Sequence, residues 1–131
     1  MGERFNASPF LLEDNEMKDV NGEIQYKDKK YKLVFNINVM EAIQAEFGSI
    51  EKWGSITDGS EGEPNVKAVI FGFMQMLNEG IEIENDENGT DIKPFTHKQV
   101  GRILSEVGMQ SATDTMTKTV IDSTQSTEKN E

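Results

Sequence analysis

Between Asn65 and Gly80 the apolar residues Val66, Val69, Ile70, Phe73, Met74 and Leu77 recur at helical spacing, and Phe71 and Met76 extend that face almost all round. A helix so covered in apolar side chains has to be wrapped, either by the rest of its own chain or by a partner. Asn65 suits the N-cap and Gly80 the stop, so the spacing predicts a central helix over 66–79. Gly72 in its interior costs about 1 kcal/mol relative to Ala, which points to the close approach of a neighbouring element there.

The flanking segments supply candidates for the wrapping. From Asn21-Gly22 onward the period is two: Ile24 and Tyr26 point one way, as do Tyr31, Leu33 and Phe35 after a turn over Lys27 to Lys30, which describes a β-hairpin with one buried face. Asn38 followed by Glu41 resembles a capping box, and Met40, Ile43 and Phe47 then share one helical face up to Gly48. A short segment over 49–56 carries Ile50 and Trp53 ahead of the Gly- and acid-rich loop Asp58 to Pro64. After an acidic loop from Glu82 to Pro94, Thr96 and Gln99 form a second capping box, opening a helix with Val100, Ile103, Leu104 and Val107 inside and Gly108 at its end. Beyond Met109 the many Ser and Thr favour helix poorly, so a weak helix is expected to about Thr124, with Met116, Val120 and Ile121 as sparse apolar points. The expected fold is α+β: an N-terminal two-stranded β-hairpin packed on three to four α-helices. Residues 1–20 read as a flexible arm, 21–121 as a single domain and 122–131 as a disordered tail.

Composition narrows the functions open to such a domain. With 24 Asp and Glu against 13 Lys and Arg, a net charge of −11 spread over both halves of the chain, phosphate backbones are repelled and nucleic acid is a poor partner. The cationic run Lys27 to Lys32, interrupted by Asp28 and Tyr31, is as polar as hairpin turns commonly are. The absence of cysteine removes disulfides, thiolate nucleophiles and sulfur-ligated metals, and fits a reducing, cytoplasmic location. The longest apolar run, Val69 to Leu77, is broken by Gly72 and Gln75 and falls well short of the roughly 20 residues that cross a bilayer.

Reactive groups do not converge in the sequence. His97 is the sole histidine and sits in a first helical turn, where a solvent-facing side chain needs no partner. From Glu84 to Phe95, Gly89 could serve as the central glycine of a calcium loop with Asp86 and Asn88 as ligands, but Phe95 stands where the bidentate Glu belongs. No glycine-rich phosphate cradle occurs. The expectation is a non-catalytic protein without cofactor or metal. Its activity would lie in apolar helical surface presented to other polypeptides, with Phe71, Met74 and Met76 of the central helix and Trp53 as the partner-binding residues. The nearly all-round apolar helix also suggests a possible homo-oligomer.

The run Gly22-Glu23-Ile24 through Lys30-Tyr31-Lys32-Leu33-Val34-Phe35-Asn36-Ile37-Asn38, then Met40-Glu41-Ala42-Ile43 to Glu46-Phe47-Gly48, resembles the opening of tail assembly chaperones of long-tailed bacteriophages and prophages. The likeness continues through Val66 to Leu77 and Thr96 to Gly108, covering about residues 22–121. It implies a factor in the bacterial host cytoplasm that binds the tape measure protein and helps recruit tail tube protein around it. A structural tail component, either tube or completion protein, is the alternative. Members of this family are often made in two forms by ribosomal frameshifting, and Glu128-Lys129-Asn130 is compatible with a slippery A-AAA-AAC codon string.

Overall fold

A computed structural model describes residues 22–129; the proposed arm over 1–20 and the last two residues lie outside them. The chain enters as a hairpin, β1 (Glu23–Tyr26) paired antiparallel with β2 (Lys29–Lys32), Ile24 opposite Tyr31 and Tyr26 opposite Lys29. Its turn is two residues, shorter than the four expected. Lys27 and Asp28 both take left-handed φ, 50° and 67°, as a tight hairpin turn compatible with strand twist demands. Past β2, Leu33, whose N–H donates to the Gly22 carbonyl at 2.8 Å, and Phe35 are buried.

Five helices follow among the described residues: α1 (Ile37–Phe47), α2 (Ile50–Thr57), α3 (Val66–Asn88), α4 (His97–Val107) and α5 (Met109–Lys129). The α+β expectation holds, with α3 as the central element. Its neighbours are α1, α2, β2, α4 and α5, and its residues Val69, Phe73, Met76, Leu77 and Ile81 are fully or almost fully buried. Covering is therefore supplied by the chain itself, which removes the basis for inferring self-association from this helix.

Two glycines let α3 accept its neighbours at backbone distance. A side chain on Gly72 would collide with the Trp53 ring, and the Trp53 indole N–H donates to the Ala68 carbonyl at 3.0 Å, one turn before that glycine. The arrangement repeats at Gly80, which packs against the Lys32 carbonyl while the Val34 N–H donates to the Met76 carbonyl at 3.1 Å. In each case the missing side chain uncovers the carbonyl one turn earlier, so it can take a second donor. Gly80 is accordingly a packing residue and not the helix stop. The helix runs on because Ile81 extends the buried Leu77 line by one turn, and it ends at Gly89, φ 68°, whose N–H caps the Asn85 carbonyl.

Much of the expected acidic loop is thus helix, and the remainder is a strap laid along it. The Asn85 amide donates to the Ile92 carbonyl and accepts from the Ile92 N–H, at 2.9 and 3.0 Å. Seven residues earlier on α3, Asn78 treats Phe95 the same way, at 2.9 and 2.8 Å. Two amide side chains two turns apart stand in for a strand's donors and acceptors, which satisfies backbone that would otherwise lie orphaned on the helix.

At α1 the cap is Asn36, whose side chain accepts from the Val39 N–H. The expected cap, Asn38, instead joins Asn36 in donating to the Glu79 carboxylate, at 3.1 and 2.8 Å. The capping box of α4 is formed as expected, with Thr96 and Gln99 reciprocating.

Helix α5 is the largest departure, reaching Lys129 where the sequence supports a weak helix to about 124. Ala112, Met116 and Thr119 form its buried stripe. Thr113, Thr115, Thr119 and Thr124 each donate their hydroxyl to the carbonyl one turn back, so a Thr can face the interior without an orphan donor. Thr119 does more: its oxygen also accepts from the Gly22 N–H at 2.9 Å, fastening the start of the hairpin to α5. Gly22 lies so close to Thr115 and Thr119 that a side chain there would collide with both.

Candidate functional site

The four residues nominated from the sequence divide into two pairs. Trp53 and Met76 belong to the core, 3% and 0% exposed; Met76 is corrected as a surface contact, and Trp53 reaches a surface only where it lines the opening between α2 and α5. Their burial follows from α2 docking over Gly72 and from Met76 lying on the Val69, Phe73, Leu77 face that every neighbour packs against. Phe71 and Met74 are half-buried; the Phe71 ring meets Phe47 edge-on, centroids 5.4 Å apart, bridging α3 to α1. His97 lies exposed on the first turn of α4. The candidate calcium segment has Glu84 to Asn88 in helical conformation, with Glu84 paired to Lys29 at 3.6 Å and Asn85 holding the strap.

An opening that the sequence did not single out lies between α2 and α5. Helix α2 presents Ile50, Trp53, Gly54 and Thr57, spaced at three, four and seven residues, toward Thr117, Val120 and Ile121 of α5, enclosing about 120 Å³. A second hollow of about 420 Å³ continues along α5, sharing Asp58, Thr117 and Ile121 with the first. Gly54 keeps the floor open, since a side chain built there would meet nothing within 4 Å.

The floor is apolar and the rim is acidic. Ile121 is 48% exposed, high for a large aliphatic side chain, because it stands off the Ala112, Met116, Thr119 stripe that α5 buries. Asp58 edges both openings, while Asp114, Asp122 and Lys118 line the second, Asp122 being paired with Lys118 at 3.1 Å. The Ser60 backbone N–H donates to the Asp58 carboxylate at 2.8 Å, and that bond, helped by the Ser60 side chain, holds the carboxyl below its ordinary range. Asp58 is therefore ionised throughout the neutral range.

The arrangement offers apolar contact at Ile50, Val120 and Ile121 beside the Asp58 carboxylate, a surface complementary to apolar side chains flanked by basic ones. A sequence signal lies in Ile121, which a helix to about Thr124 already sets away from Ala112, Met116 and Thr119. Among the described residues no helix is long and apolar enough to cross a membrane. Compared with protein-family models, curated proteins and solved structures, the chain matches none of them.

Proposed function

We propose that this chain is a non-catalytic binding protein that seats an amphipathic, basic-flanked helix of a partner polypeptide in the α2–α5 cleft, acting as a tail assembly chaperone for the tape measure protein. The reading rests on one observation, an apolar cleft left open by Gly54 and half-exposed Ile121, edged by Asp58 and continuing into a hollow that Asp114 and the Lys118–Asp122 pair line. A tape measure protein is a long chain of apolar helices, and such helices aggregate unless their greasy faces are covered. The net charge of −11 supports the same role, since an acidic shell keeps the complex dispersed and steers basic-flanked segments to the rim. The order of hairpin, Asn-capped helix, apolar helix and Thr96–Gly108 helix that resembles the chaperone family supports it further.

Coexpression with a phage tape measure protein tests the proposal. The expected result is a soluble complex that survives size-exclusion chromatography. Tape measure protein that precipitates equally with and without this chain contradicts it. Presence of the chain in purified phage particles at tube stoichiometry points instead to a structural tail component.

A further inference from the structure

A second, chemically opposite surface lies at the hairpin. Six of the chain's 13 Lys and Arg fall on the hairpin and α4, namely Lys27, Lys29, Lys30, Lys32, Lys98 and Arg102. There Tyr26, Lys27, Tyr31, Phe95, Gln99 and Arg102 line a groove of about 350 Å³. Lys30 and Lys32 alternate with Tyr31 onto the other face of the hairpin and Lys29 is paired with Glu84, which leaves Lys27 and Arg102 as the charges on the groove side, with no carboxylate among its lining residues.

The groove is held in shape by its surroundings. The two-way clamp of Asn78 fixes the Phe95 backbone, and the Phe95 ring meets Tyr31 and Tyr26 edge-on at 5.3 and 6.5 Å. The left-handed turn sets the Lys27 ammonium 5.6 Å from the centre of the Tyr26 ring. Gln99 and Arg102 stand three residues apart on one face of α4; the Gln99 oxygen is taken by the Thr96 N–H, which leaves its amide donors pointing outward. Among the described residues Arg102 has no ion pair, and neither tyrosine hydroxyl has a hydrogen-bond partner. A guanidinium, an ammonium, an amide and two phenols therefore surround an aromatic floor.

We infer that this groove binds an acidic peptide segment of a partner protein, taking a carboxylate on Arg102 and Lys27 and an adjacent aromatic or aliphatic side chain against Tyr31 and Phe95. Bidentate capture of a carboxylate is the chemistry a planar guanidinium favours. A continuous phosphate backbone fits less well, because its evenly spaced charges meet Asp28 in the turn beside Lys27 and Glu84 on Lys29, whereas a peptide can place its carboxylates discontinuously. The site is independent of the α2–α5 cleft: Trp53 docks at Gly72 and the hairpin at Gly80, a separation of about 12 Å along α3 at the helical rise.

The test is a titration of the whole chain, followed by amide resonances, with a capped peptide of one tyrosine flanked by glutamates, with its glutamine counterpart and with a short oligothymidylate. Saturable shifts confined to Lys27, Tyr31, Gln99 and Arg102 with the glutamate peptide alone are expected, and Arg102→Glu, an exposed position, should weaken them about tenfold or more. Unchanged Trp53 fluorescence shows that the variant is folded; if it is not, Arg102→Gln serves with the same expectation. Equal response to the glutamine peptide, no saturable response, or tighter binding of the oligothymidylate overturns the inference.

Discussion

Replacing Gly72 by Ala puts a methyl group where the Trp53 ring now lies, 2.8 Å from one ring carbon and 3.0 Å from the indole nitrogen. Trp53 is 3% exposed and hydrogen-bonded to the Ala68 carbonyl, so it yields only by losing that bond and its packing. Overpacking costs about 1–3 kcal/mol and an orphaned buried N–H about as much again, against a gain of about 1 kcal/mol in helix propensity. The net is a destabilisation of about 3 kcal/mol, which at a urea slope of about 1.5 kcal/mol per molar lowers the unfolding midpoint by about 2 M. Gly101→Ala is the control, because the new methyl there meets a single ordinary contact with Ile70 at 3.9 Å, and it should stabilise by about 0.5–1 kcal/mol. Urea unfolding followed by the fluorescence of the sole tryptophan measures both. If Gly72→Ala raises the midpoint as Gly101→Ala does, the backbone-contact account of α3 is refuted.

Other consequences are testable by similar means. Thr119→Val keeps the shape but removes the acceptor for the Gly22 N–H; a loss of about 1–3 kcal/mol in thermal unfolding is expected, and an unchanged transition contradicts the tether. Asn78→Ala strips both hydrogen bonds from Phe95, so the Phe95 amide should exchange with solvent at least about tenfold faster, an opening free energy lower by about 1.4 kcal/mol or more. The Asp58 carboxyl is held low by the Ser60 N–H, so its contribution to the Asp58–Pro64 turn is complete above the unfolded-chain value. It fades as pH falls through the lower folded value, below about pH 4. The Ser60 amide resonance should report a titration midpoint below that of a carboxylate in an unfolded peptide, and a midpoint at or above it counts against the bond.

The sequence carried the elements better than their joints. The alternation around Ile24 and Tyr31, the Thr96–Gln99 capping box and the apolar periodicity from Val66 are local patterns, and the structure has each of them. Gly72 was readable as a close approach because a glycine inside so apolar a helix lacks another reason to be there. Gly80 carries the same chemistry but precedes acidic residues, so it looked like a stop; only Lys32 and Val34, far away in sequence, reveal it as a contact. Asn78 and Asn85 were silent because their partners, Phe95 and Ile92, take backbone bonds that leave no pattern in the side chains. Helix α5 was underrated because Thr propensity is scored as if its hydroxyl competed with the helix, whereas here Thr113, Thr115 and Thr119 bond back to it. The candidate site was the least legible part. Apolar residues at helical spacing do not say which face is covered, so the pattern does not separate buried Met76 from half-buried Met74, and Gly54, which opens the cleft, carries no pattern of its own.

Gly54 also gives the most direct test of what the cleft is for. Gly54→Leu places an aliphatic side chain in open space on a helix, so the fold should be retained and α2 stabilised by about 0.5–1 kcal/mol, while the cleft between Trp53 and Ile121 is filled. The decisive measurement is the dissociation constant of the tape measure protein for the wild-type and Gly54→Leu chains, each shown to be folded by a cooperative thermal transition. The account predicts at least about a tenfold weaker complex for the variant, a loss of about 1.4 kcal/mol or more. Identical affinities would show that the partner, if it binds, binds elsewhere.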